Sequence, residues 1–289
     1  MFDNIFAAIE KWMRELLTGM VESNMSTMFT DVNEKTSEIA AQVGRTPQNW
    51  NSSVFSMIQN LSESVVVPIA GIIITLVLCY ELISMLTERN NLHDVDTWMF
   101  FKYFVKAWVA IYLVSNTFTI TMAVFDVGQS VVNSASGIIN GETAIDVSSL
   151  SMQMQAAMAT MEIGELVVLA LETFLVSFCM KIMSVVITVI VYGRMIEIYL
   201  YTSLAPIPFA TMSNREWGHV GTNYFRGLFA LAFQAFLMMV CVAIYAALIS
   251  SVRISSNMHS ALIGVAAYTV ILCFSLMKTG SLSLSLIHI

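Results

Sequence analysis

Phe2, Ile5, Phe6, Ile9, Trp12, Met13, Leu16, Leu17 and Met20 recur at helical spacing, with Glu10, Lys11, Arg14 and Glu15 between them. This segregation with a 3.6-residue period predicts an amphipathic helix. Such a helix lies on a bilayer surface or packs against a partner. Its mixture of acids and bases gives little attraction to lipid charge. A signal peptide is not expected, because the basic leader and compact apolar core are both missing. A second, mostly polar amphipathic stretch is predicted over about 25–43, ended by Gly44-Arg45-Thr46-Pro47. A short helix follows over about 53–62. Residues 1–64 therefore read as one extracytoplasmic amphipathic helical region.

Beyond residue 64 the pattern changes from periodic to continuously apolar. A helix needs about 20 apolar residues to cross the hydrocarbon core. Five stretches qualify, at about 65–86, 107–125, 163–192, 227–249 and 260–277. Pro68 falls in the first turn of the first stretch, where its missing N–H costs little. Trp98, Phe100, Phe101, Tyr103, Phe104 and Trp108 lead into the second and suit a membrane interface. The third can be cut in two near Lys181, but no turn residue separates the halves, which favours one long span. The expected fold class is all-α: a polytopic membrane protein of about five transmembrane helices, over residues 65–283, behind the amphipathic N-terminal region.

Charge orients these spans. No Lys or Arg occurs from Ala107 to Met180. Alternate short loops carry Arg89, Lys102, Lys106, Arg194, Arg215, Arg226 and Lys278 on one side and Arg253 alone on the other. The positive-inside rule places the richer side in the cytoplasm. The N-terminus is then outside and the C-terminus cytoplasmic, as an odd number of spans requires. Residues 126–162, with Asp126, Glu142, Asp146 and Glu162, become a large acidic external loop. Its Ser134, Ser136, Gly137, Asn140 and Gly141 suggest turns.

Composition excludes several classes. Hydrophobic residues make up 57% of the chain and charged residues 11%, against about 25% charged in soluble domains. Mean hydropathy is +0.75. A net charge of -7 argues against a nucleic-acid-binding surface, which concentrates Lys and Arg. Cys79, Cys179, Cys241 and Cys273 all lie in apolar runs without CxxC or Cys/His spacing, so neither a zinc site nor a disulfide framework is expected. HExxH, GxSxG, Walker and GxGxxG motifs are all missing. The expectation is a protein without enzymatic activity, catalytic residues, bound metal or cofactor. His93-Asp94-Val95-Asp96 reads as a loop in which Asp94 or Asp96 caps the helix starting near Trp98.

Three ionisable residues lie in or beside the apolar runs: Glu81, Glu172 and Lys181. Charge at membrane depth is costly and usually faces a bundle interior or a water path. Lys181 is the deepest, and Glu81 is a possible partner. The bland alternative is a lysine snorkelling from a long, tilted helix. A second candidate is the segment 193–211. Arg194 and Glu197, three apart, can pair at the cytoplasmic interface. Pro206 and Pro208 cannot continue a helix and are expected to hold Ala205 and Ile207 extended. A broken apolar segment at membrane depth must line a cavity or be covered by protein. It reads as a gate or docking segment, or as a simple interfacial turn. Asn116, Thr119, Gln234, Ala243 with Ala247, and Ser260 with Gly264 mark helix-contact faces.

The amphipathic N-terminus, the five spans and three segments carry a family resemblance. The segments are Asn90-Asn91-Leu92-His93-Asp94-Val95-Asp96-Thr97-Trp98, Asp126-Val127-Gly128-Gln129-Ser130-Val131-Val132-Asn133 and Ser203-Leu204-Ala205-Pro206-Ile207-Pro208-Phe209. Together they resemble the TrbL-like conjugal transfer proteins of Gram-positive integrative conjugative elements. The resemblance implies a cell-membrane component of a type IV secretion channel, in which cytoplasmic ATPases drive transfer. It also implies other secretion subunits as partners, a homo-oligomer in the bilayer, and transient passage of single-stranded DNA with its relaxase. The departure lies at the end of the chain. Leu284-Ser285-Leu286-Ile287-His288-Ile289 matches a translated sequencing-adapter end, so residues 284–289 are expected to be an assembly artefact and the native C-terminus to be missing. The leading expectation is a non-enzymatic channel or scaffold subunit of a conjugation machine. The alternative is a small-molecule transporter or ion channel using Lys181 and Glu81, which lacks the internal repeat many transporters show.

Overall fold

The computed structural model describes residues 2–87, 97–139, 147–252 and 258–288. The sequence candidates Arg89, the segment 90–96, Asn140, Gly141, Glu142, Asp146 and Arg253 lie outside the described residues. Every element among the described residues is helical: α1 (Phe2–Val43), α2 (Pro47–Trp50), α3 (Ser52–Leu61), α4 (Val67–Thr87), α5 (Thr97–Ser115), α6 (Thr117–Ile139), α7 (Val147–Met158), α8 (Ile163–Ser203), α9 (Pro206–Thr211), α10 (Gly218–Ser250) and α11 (Met258–His288). Among the described residues five helical stretches are long and apolar enough to cross a membrane: Ser52–Thr87, Thr97–Ser115, Ile163–Ser203, Gly218–Ser250 and Met258–Leu286. The chain is an all-α, multi-pass membrane protein.

The helices differ from the sequence expectation in several places; the fourth and fifth spans, for example, are longer than expected, at Gly218–Ser250 and Met258–His288. The two N-terminal amphipathic stretches form one helix, α1, since no breaker separates Met20 from Met25. Pro68 does not open a span; it sits inside a continuous helical run from α3 into α4. One π turn over Ser62–Val66, closed by Val67 N–H on the Ser62 carbonyl, precedes it. A proline ring crowds the carbonyl four residues back, and a widened turn relieves that crowding. The second membrane-length helix is Thr97–Ser115 rather than 107–125, because the helix breaks at Asn116. There Asn116 Nδ2 donates to Tyr112 O at 2.9 Å, and Thr117 Oγ1 donates to Leu113 O and Val114 O, both at 2.8 Å. Side chains that bond the preceding turn bend helices. Residues 126–139 continue α6, and α7 covers 147–158, so the expected external loop is largely helical. The third span, expected to end at 192, runs unbroken to Ser203.

Short-range caps join α1 to the spans. Thr46 accepts from Asn49 N at 3.2 Å and opens α2, with Pro47 in the first position, where no N–H partner is lost. Asn51 Oδ1 accepts from both Ser53 N and Val54 N at 3.1 Å and opens α3.

The chain divides into two compact units. The first comprises Met1–Val43, Ser134–Val191 and Met238–Thr279. Its α1 buries Val21, Met25, Met28, Phe29, Val32, Ile39 and Val43 along one face. Leu166 and Leu169 of α8, Met238 and Met239 of α10, and Leu262 and Val265 of α11 are also fully buried. The second unit comprises Gly44–Asn133, Tyr192–Leu237 and Gly280–Ile289. One of its cores joins Ala70, Ile74 and Leu78 of α4, Ala110 and Val114 of α5, and Phe209 and Ala210 of α9. Another joins Val124 and Phe125 of α6, Met195 and Ile198 of α8, and Leu228, Leu231 and Ala232 of α10.

Candidate functional site

The second unit holds the segment that interrupts the apolar run after α8. The last turn of α8 is weakened by its own hydroxyls: Thr202 Oγ1 donates to Ile198 O at 2.9 Å and Ser203 Oγ to Leu200 O at 2.8 Å. Ala205 is helical, at φ -51° and ψ -38°, not extended as the following proline suggested. Pro206 takes the first position of α9, where the missing N–H is harmless, so the prolines restart a helix instead of straightening the chain. Pro206, Phe209 and Ala210 are buried. The α9 segment is thus covered by protein, packed on α4 and α5.

Two glycines permit this packing. A Cβ on Gly221 would lie 2.1 Å from Met212 Cγ and 2.5 Å from the Pro208 carbonyl oxygen. A Cβ on Gly227 would lie 2.2 Å from Tyr201 Oη. That close approach lets Tyr224 stack on Tyr201, with ring centroids 4.6 Å apart at 11°, and donate to Tyr201 O at 2.7 Å. On the far side of the break, Asn214 Oδ1 accepts from Glu216 N at 2.7 Å and Trp217 N at 3.0 Å.

Arg194 is buried, with 6% of its surface exposed. It does not pair with Glu197, which is exposed. Its Nη2 instead donates to Leu231 O at 3.4 Å, its Nη1 lies 4.0 Å from Met195 Sδ, and its Nε has no partner. A guanidinium with one long carbonyl contact is far from compensated for its burial.

Glu81 also has a partner the sequence did not suggest. Lys106 Nζ lies 2.5 Å from Glu81 Oε1, with the glutamate side chain 11% and the lysine 38% exposed. Around this pair, Tyr103 donates to Leu78 O at 3.0 Å. Tyr80 donates to Glu216 Oε1 at 2.9 Å and stacks on Trp217. Spacing alone could not reveal these contacts, since the partners lie 25 and 136 positions apart. The available signal was one acid and one base on consecutive spans joined by a short connection.

The other two intramembrane candidates lie in the first unit. Glu172 Oε2 pairs with His259 Nδ1 of α11. Lys181 is exposed and forms no ion pair among the described residues. No group of three or more His, Cys, Asp or Glu that could hold a metal ion occurs among the described residues.

A family model described as TrbL/VirB6 plasmid conjugal transfer like protein matches residues 32–206. That span includes α4, α5 and all of α8 and ends at Pro206. No curated protein and no solved structure matches the chain.

Proposed function

Because the chain belongs to the TrbL/VirB6 plasmid conjugal transfer-like family and is thereby a membrane component of conjugal transfer and type IV secretion, we propose that it serves there as a non-enzymatic channel or scaffold subunit. The observation that carries this reading is the family match itself, which takes in three of the five membrane-length helices. The polar groups support it. They sit on packed helix faces, Glu81 on Lys106 and Arg194 on Leu231, as suits a body that positions partners. In this reading the N-terminus lies outside and the C-terminus in the cytoplasm, following the basic residues. The subunit assembles with itself and with other secretion subunits, and single-stranded DNA with its relaxase passes the assembly. Arg194, Glu197 and the Pro206–Pro208 segment form the docking or gating element. Glu81, Glu172 and Lys181 are the intramembrane polar positions. The transporter alternative is not favoured, because Glu81 is engaged by Lys106 and Lys181 is exposed.

In-frame deletion of the gene in a donor strain is expected to bring conjugal transfer to background while relaxase nicking at the origin continues. Loss of nicking, or transfer at the parental frequency, would overturn the proposal. A narrower test uses Arg194→Met. Removing an uncompensated buried charge should raise the melting temperature of the detergent-solubilised protein. If Arg194 holds a partner's anion, transfer falls while the protein becomes more stable. Unchanged transfer would remove Arg194 from the docking element.

A further inference from the structure

The first unit exposes two different kinds of surface beside each other. Three hydrogen bonds fix α1 against the region of α8. Arg14 Nη1 donates to Met161 O at 2.7 Å, Asn24 Nδ2 to Thr173 Oγ1 at 3.5 Å, and Lys35 Nζ to Thr188 Oγ1 at 3.3 Å. The numbers rise together, so the two helices run parallel. Between Glu165 and Arg194 the only charged residues of α8 are Glu172 and Lys181. Along this interval α8 exposes Leu171, Phe174, Leu175, Phe178, Val185 and Val189. That flank is suited to lipid.

At the same height α1 exposes no such residue. Its outward face is Ser23, Ser26, Thr30, Glu34, Ser37 and Ala41, spaced three or four apart and therefore one stripe. Among the described residues no large apolar side chain is exposed between Met20 and Met57. The inward side of α1 is apolar (Val21, Met25, Met28, Phe29, Val32, Ile39 and Val43) apart from one small polar pocket. Asp31, Lys35 and Thr36 share a cavity of about 20 Å³ with Ser184 of α8, Tyr245 of α10 and Thr269 of α11. This is room for one water, and Tyr245 Oη and Thr269 Oγ1 are themselves 2.8 Å apart. Among the described residues Asp31 has no hydrogen-bonding partner.

We propose that residues 21–43 of α1 lie at membrane depth alongside α8, entering from the same side of the bilayer, with their Ser/Thr/Glu34 stripe facing water. Hydropathy alone hides such a segment, because its charges disqualify it as a span. Hydrocarbon around α1 would desolvate the Glu34 carboxylate and the four hydroxyls of Ser23, Ser26, Thr30 and Ser37 with nothing to replace the water. Water over α8 would leave its aromatic and branched side chains exposed. The unit therefore has a lipid flank on α8 and an aqueous flank on α1. The inference departs from an entirely extracytoplasmic N-terminal region and from the five-crossing count on which the N-outside, C-inside orientation rests, and it holds whatever the assembly carries.

The test is thiol accessibility in membrane vesicles. Cys79 and Cys179, the exposed native thiols, are replaced by alanine. Single cysteines are then placed by Ser26→Cys, Thr30→Cys and Ser37→Cys on the stripe, and by Leu175→Cys, Ile182→Cys and Val189→Cys on α8. A charged methanethiosulfonate reagent should modify the stripe positions at least about tenfold faster than the α8 positions, since only a hydrated thiol ionises readily. The companion variant Asn24→Cys with Thr173→Cys should be joined by a short bifunctional maleimide. Equal reactivity at both sets, or stripe positions reached only by a lipid-soluble maleimide, would overturn the proposal. So would failure of the cross-link, which would place α1 away from α8.

Discussion

Replacing Gly221 by alanine is expected to cost the folded protein about 1–3 kcal/mol, and replacement by valine to prevent accumulation in the membrane. The added Cβ of alanine meets two atoms of different kinds. Met212 Cγ, at 2.1 Å, belongs to a flexible side chain and can swing away. The Pro208 carbonyl oxygen, at 2.5 Å, belongs to the backbone of α9 and cannot yield without moving the helix. Moving α9 disturbs Phe209 and Ala210, which are packed on Ala70, Ile74 and Ala110. Gly71 and Gly264 provide the control, because a Cβ on either meets nothing within 4 Å. Alanine there should be neutral or stabilising by about 0.5–1 kcal/mol, as a helix interior favours alanine over glycine. Fluorescence-detected size exclusion after a heating series would rank the three variants. A Gly221→Ala protein as heat-resistant as Gly71→Ala would contradict the packing of α9 against α10.

Lys106→Met is expected to destabilise the second unit more than loss of a surface charge would. Glu81 keeps 11% of its side-chain surface. Without the ammonium at 2.5 Å it becomes a nearly enclosed carboxylate with no counter-charge. Breaking fully buried pairs costs about 3–5 kcal/mol. The lysine is 38% exposed, so water can partly replace it and about 1–3 kcal/mol is the expectation here. The double replacement Glu81→Leu with Lys106→Met should recover most of that loss, because it removes the stranded charge together with its partner. If the single and double variants melted alike, the pair would carry no coupling.

The sequence disclosed what depends on runs of residues and concealed what depends on partners. Five apolar stretches gave the all-α, multi-pass architecture, because crossing a bilayer demands length and apolarity that few other structures need. The caps at Thr46 and Asn51 follow from local chemistry. The boundaries of the second span did not, because the decisive event is one asparagine and one threonine adding side-chain bonds to the carbonyls of residues 112–114. The prolines at 206 and 208 interrupt the apolar run, but the helix-starting position of Pro206 overrides the usual extension before proline. Of the ionisable candidates, Arg194 and Glu81 are buried, with 6% and 9% of their surfaces exposed. No spacing rule could show that Arg194 turns from Glu197 toward Leu231, since α10 supplies the acceptor from 37 positions away.

The π turn at Ser62–Val66 has a geometric effect along the whole of Ser52–Thr87. Each residue of an α-helix turns the chain by about 100°, so a turn that lodges one more residue shifts the phase of everything after it. In length α3 and α4 are one rod; in angle they are two dials on a common shaft. The setting of Phe55 toward Phe118 and the setting of Ala70 and Ile74 toward α9 are thereby uncoupled, and Pro68 is the detent that keeps them apart.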